Sequence, residues 1–97
     1  YSDEVKILLS QPQAQTILNS LLAKVELFKG QELEFAIAKE ILASVTAELK
    51  GKGFKTKDVY QTIRLALTGQ RSGPELFYLL SIVGVEPIIK WQKVKER

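Results

Sequence analysis

Gly69 and Pro74 fix the sharpest bend this chain has to make. From position 63 to 76 it reads Ile63-Arg64-Leu65-Ala66-Leu67-Thr68-Gly69-Gln70-Arg71-Ser72-Gly73-Pro74-Glu75-Leu76. An apolar helical run stops at Gly69, and glycine enters the left-handed conformation that commonly closes a helix at no steric cost. Pro74 suits the first position of a following helix, where its missing N–H would be unpaired anyway. Gln70, Arg71 and Ser72 stand between these marks, polar and expected at the surface. Arg64 lies one turn back on the incoming helix, so a turn this short holds it in a fixed relation to them.

The remaining segments read as helices of the same kind. Val5, Leu8 and Leu9 mark a short one over 3–9 with Ser2 as its cap. Pro12 opens a second that reaches about Phe28, with Ile17, Leu18, Leu21, Leu22 and Val25 at three- and four-residue spacing. Ile37, Ile41, Val45 and Leu49, broadened by Ala38 and Leu42, predict a third and longest helix. The glycines of Lys50-Gly51-Lys52-Gly53 break the pattern. Thr56 is then expected to cap a fourth helix that buries Val59, Ile63 and Leu67, with Asp58 in its first turn. A fifth runs from Pro74 to about Val83 with Leu76, Leu79, Leu80 and Val83 inward and Gly84 as its stop. A sixth begins at Pro87 and packs Ile88 and Trp91. No segment reads as a strand, so the expectation is an all-α, compact bundle of about six helices, one domain over 1–97.

Composition narrows the function. Cysteine and histidine are both absent, which removes thiolate chemistry, disulfides, the commonest metal ligand and the commonest general base. No run approaches the ~20 apolar residues of a membrane span. The chain opens at Tyr1 on a charged amphipathic segment and contains no methionine, from which a fragment of a longer protein, itself a soluble domain, is expected. The formal charge of +3 is unevenly spread: residues 1–49 carry four Lys against seven Asp and Glu, and residues 50–97 carry ten Lys and Arg against four. The basic half argues for a polyanionic partner.

Single residues carry competing readings. Glu32, Glu34, Glu40 and Glu48 flank apolar helix faces and read as solvated surface rather than acid–base groups. Gly51-Lys52-Gly53-Phe54-Lys55-Thr56 lacks the spacing of a phosphate loop and no strand precedes it. What it leaves is Lys52, Lys55 and Lys57, able to touch phosphates or simply to solubilise a connector. Trp91 reads as core packing, and Tyr60 as either core or a base-stacking ring on the flank of Arg64. Lys90, Lys93, Lys95 and Arg97 make a basic last turn. Arg64 itself either presents its planar fork to a base edge or pairs with Glu75, and the residues alone leave both open.

The wording of Arg64-Leu65-Ala66-Leu67-Thr68-Gly69, then Ser72-Gly73-Pro74-Glu75-Leu76, then Val83-Gly84-Val85-Glu86, resembles the closing segment of bacterial-type glutamyl-tRNA synthetases. The resemblance implies the helical-cage anticodon-binding region of such an enzyme. By position it places Arg64 and Leu76 at the first anticodon base and Gly73 and Pro74 at the middle one. Thr68, Gln70, Arg71 and Ser72 complete the RNA-facing turn, and Lys52, Lys55 and Lys57 lie near phosphates. The partner implied is glutamate tRNA, or glutamine tRNA as well, read by a monomer. The H-I-G-H and K-M-S-K-S type signatures are missing, so this fragment has no catalytic site. ATP and magnesium would belong to the catalytic domain of the parent, a glutamate–tRNA ligase. The alternative class is a basic helical protein-interaction module docking an acidic partner through Tyr60 or Trp91.

Overall fold

Six amphipathic segments separated by turn residues have one economical solution, helices packed on helices around a shared apolar centre. The computed structural model describes residues 2–95 and shows that arrangement. The helices are α1 (Asp3–Leu9), α2 (Pro12–Glu26), α3 (Phe35–Lys50), α4 (Thr56–Thr68), α5 (Leu76–Val83) and α6 (Glu86–Lys95), with no strand among the described residues. None is long and apolar enough to cross a membrane. Glu96 and Arg97, the end of the basic tail, lie outside the described residues.

α4 is the hub, packing against α1, α2, α3, α5 and α6. Its sequence explains why: Val59, Ile63 and Ala66 are fully buried, and Leu65 and Leu67 nearly so, which gives the helix apolar neighbours on more than one side. Ile17, Leu18 and Leu21 of α2, Ile41, Val45 and Leu49 of α3, and Leu80 of α5 complete the core. No described polar or charged side chain is buried with them. The radius of gyration, 12.4 Å, matches the ~13 Å of a folded domain of about 100 residues. Trp91 packs half-buried against this core, as its helical spacing with Ile88 predicts.

Several helix ends depart from expectation, each for a local reason. α2 stops at Glu26, because the N–H groups of Leu27 and Phe28 donate to carbonyls three residues back, which tightens the last turn. The cap of α4 is Lys55, not Thr56: Lys55 is extended and its carbonyl accepts the first helical bond, from Val59 N at 3.1 Å. α5 starts at Leu76 with Glu75 as its cap, so Pro74 stands in the turn and not in the helix. α6 begins one residue early, at Glu86. Val83, expected inward, is 37% exposed at the last position of α5, where Gly84 turns the chain away.

Polar side chains tie the helices at the surface. The Ser81 hydroxyl donates to the Leu33 carbonyl, joining α5 to the segment before α3. Gln92 donates to the Asn19 side chain at 2.9 Å, joining α6 to α2. Ser20 of α2 donates to the exposed Glu48 carboxylate of α3, with Lys24 Nζ 3.9 Å away. That hydrogen bond, helped by Lys24 and Lys52, holds the Glu48 carboxyl below the usual carboxylate range. A lowered folded-state value contributes stability above the ordinary carboxylate range that is lost as pH falls through the lowered value. Ser20→Ala is therefore expected to raise the Glu48 titration midpoint, read by side-chain NMR, and an unmoved midpoint would assign the shift to the lysines alone.

Candidate nucleic-acid interface

The turn between α4 and α5 is built by a chain of backbone satisfactions. The C-terminal carbonyls of a helix lack intrahelical partners. Gly69, left-handed at φ 74° and ψ 10°, returns its N–H to the Leu65 carbonyl at 2.7 Å. The Thr68 hydroxyl donates to the Arg64 carbonyl at 3.0 Å and accepts from Gln70 N at 3.2 Å. Thr68 is thus committed to shaping the turn. Any side chain other than glycine at 69 would have to adopt a left-handed backbone, which costs about 1 kcal/mol or more.

Arg64 crosses the turn instead of pairing with Glu75. Its Nη1 donates to the Pro74 carbonyl at 2.6 Å. Gly73 lies beside the guanidinium at φ +149°, a backbone conformation that L side chains rarely adopt, whereas a Cβ there would meet the same nitrogen at 3.7 Å, an ordinary contact. The other guanidinium donors engage no group among the described residues. The result is a planar fork, held at one corner and open elsewhere, over an exposed stretch from Gln70 to Glu75.

Beside it lies a cleft of about 190 Å³ between α3, α4 and α5, lined by Lys39, Leu42, Tyr60, Arg64, Glu75 and Phe77, with Ala43 and Leu76 behind them. Tyr60, one turn before Arg64 on α4, is 37% exposed and faces this cleft. The stacking reading of Tyr60 thus has a geometric basis that the sequence spacing alone left undecided.

Not every expected contact sits in this arrangement. Leu76 is 3% exposed and packs in the core while it borders the cleft from below. Arg71 points the other way, to Glu4 of α1, with Nη2 to Oε1 at 3.0 Å. That pair is exposed on both sides, so it positions more than it stabilises. Lys52, Lys55 and Lys57 are exposed, but Lys57 lies in the first turn of α4, Lys55 caps it and Lys52 stands in the turn before it, and that end of the helix is about 18 Å from Thr68 at 1.5 Å per residue. Gln70, Ser72, Gly73 and Pro74 are exposed where the sequence places them.

The structure also adds residues that sequence reading passed over. Lys39 and Phe77 line the Arg64 cleft from α3 and α5, and Phe35 and Tyr78 continue the same surface. Their helical spacing marks Phe35 and Tyr78 only as outward-facing. No sequence signal says that two separate helices put them together.

The chain's likeness to other proteins is extensive. A family model described as anticodon binding domain matches residues 2–90. The chain is 37% identical over 90 residues to a glutamate–tRNA ligase of Geobacillus thermodenitrificans, covering 93% of this chain and 17% of that protein. The glutamate–tRNA ligase of Bacillus subtilis is 37% identical over 90 residues, covering 93% and 18%. That of Heliobacterium modesticaldum is 40% identical over 85 residues, covering 88% and 16%. The chain thus spans about a sixth of the length of the curated relatives it matches. No solved structure matches it. With nearly its whole length inside that family model, the chain belongs to the anticodon-binding domain family.

Proposed function

We propose that this domain reads the unpaired anticodon bases of glutamate tRNA through the Arg64 cleft, as one part of an enzyme that joins glutamate to that tRNA. The observation that carries the reading is the Arg64 guanidinium, fixed at one corner by the Pro74 carbonyl and otherwise uncommitted beside Tyr60. A rigid fork of N–H donors matches the acceptor pair on a base edge, and in an unpaired loop that edge is accessible. Tyr60 supplies a face on which such a base can stack. Lys52, Lys55 and Lys57, at the distant end of α4, are assigned to the sugar-phosphate backbone, which positions without specifying. ATP and magnesium belong in this reading to the parent enzyme's catalytic region, and no residue of this chain is given a role in that chemistry.

The experiment is a titration of the 97-residue chain with a glutamate-tRNA anticodon stem-loop and with the same stem closed by a scrambled loop, each at two salt concentrations. Affinity for both should fall with salt as counterions are released, while the preference for the native loop persists. Equal affinity for the two loops would reduce the surface to general electrostatics. Absence of RNA binding at low salt would favour a protein-docking role for the basic half.

A further inference from the structure

The Arg64 cleft continues past Phe77. On the far side of that ring, Phe35 at the start of α3 approaches Phe77 edge-on, with centroids 5.6 Å apart and planes at 75°. Its centroid is also 5.6 Å from that of Tyr78. Lys39, one turn along α3, places its ammonium 4.5 Å over the Phe77 ring. Lys39, Glu75 and Phe77 border both hollows, so the aromatic surface and the Arg64 cleft are one continuous groove. Phe35 and Tyr78 stay 46% and 42% exposed.

Rings of this size ordinarily gain by being buried. Two half-exposed rings on one face, with a lysine among them and an arginine cleft adjoining, match the way single-stranded nucleic acid is held, by bases stacked on aromatic faces and a backbone near cations. A protein occupant would need carboxylates placed opposite Lys39 and Arg64 to offset their desolvation, whereas every nucleotide of a single strand brings a phosphodiester charge with its base. We propose that Phe35 and Tyr78, with Lys39 beside them, form a stacking platform for the unpaired nucleotide next to the base that Arg64 reads. The inference rests on the anticodon reading of the Arg64 cleft and extends it to a neighbouring nucleotide, held without regard to which base it carries.

The test uses the 97-residue chain and its Phe35→Leu/Tyr78→Leu double variant, titrated with anticodon stem-loops in which each unpaired nucleotide in turn is made abasic. Leucine keeps apolar area and removes the π face, and both positions are exposed enough for the fold to tolerate it. The wild type should lose about tenfold in affinity when one particular base, adjoining the one coupled to Arg64, is deleted. The double variant should show that loss on the intact loop and no further loss on the abasic one. Changing the identity of that base, without removing it, should matter little. Unchanged affinity of the double variant for the intact loop, with Arg64→Ala still erasing base preference, would overturn the platform alone and make the patch a protein-facing surface. A wild-type chain that binds no loop would overturn both readings.

Discussion

Replacing Arg64 by alanine is expected to cost the chain about 1–3 kcal/mol of discrimination at one anticodon base, roughly five- to 150-fold. The size follows from what the guanidinium does. One nitrogen is spent on the Pro74 carbonyl at 2.6 Å, which fixes the plane of the fork, and the rest have no partner within the described chain. Donors held in place before the ligand arrives lose little freedom on binding, so their hydrogen bonds go toward recognition. The domain itself should hardly notice the change, because the Pro74 carbonyl lies in an exposed turn and water can replace the arginine. Arg64→Lys separates charge from geometry. Lysine keeps the cation and can reach the carbonyl, but it has no planar fork. It should match the wild type in salt dependence and alanine in its indifference to the base. Comparable thermal unfolding of all three proteins would show that the loss belongs to binding.

Leu80→Ala is expected to have the largest effect on stability, about 2–5 kcal/mol. Leu80 is fully buried in the middle of α5, which packs on α3 and α4. Removing it leaves a cavity that a short helix anchored at both ends by turns cannot easily close. A domain of this length has only about 5–15 kcal/mol to lose, and a shift in midpoint of about 4–8 °C accompanies each kcal/mol. Ile82→Ala is the internal control: two residues along the same helix and 64% exposed, it should change stability by less than about 0.5 kcal/mol. Equal losses for the two variants, measured by thermal or urea unfolding, would mean that α5 is seated differently from the packing described. The midpoint shift of Leu80→Ala should also carry the Arg64 cleft with it, since α5 forms one wall.

The contrast between these two residues shows what sequence carried and what it did not. The six helices were legible because apolar residues recur at helical spacing and because Gly69, Gly84, Pro12 and Pro87 mark where the pattern must change. The bounds of α1, the start of α2 and the stops of α4 and α5 were legible too, but the end of α2, the cap of α4 and the starts of α5 and α6 were not, since those depend on which groups satisfy the terminal backbone. Pro74 is the instructive case: its place in the sequence suits a helix start, but α5 begins at Leu76 with Glu75 as its cap, and the Pro74 carbonyl accepts from Arg64 of α4. Arg64 and its turn could be located from residues alone, but whether the guanidinium met Glu75 or remained open could not. The aromatic surface was invisible for a different reason. Phe35 and Tyr78 stand on two helices far apart in the chain, and only the packing of α5 on α3 brings them together. Leu76 carried both a core and a contact reading, and it is buried in the core where it also borders the Arg64 cleft. Arg71 likewise finds its partner, Glu4, at the opposite end of the sequence.

In the proposed reading Arg64 reads a base, while Lys52, Lys55 and Lys57 around the start of α4 serve only the backbone. That reading is tested by titrating the wild type, Arg64→Ala and Lys57→Ala with a set of anticodon stem-loops in which each anticodon base is replaced in turn. Arg64→Ala should abolish the penalty for replacement at a single base and leave the others intact, whereas Lys57→Ala should weaken every loop by a similar factor and lower the salt dependence. Equal, sequence-independent losses for both variants would contradict it.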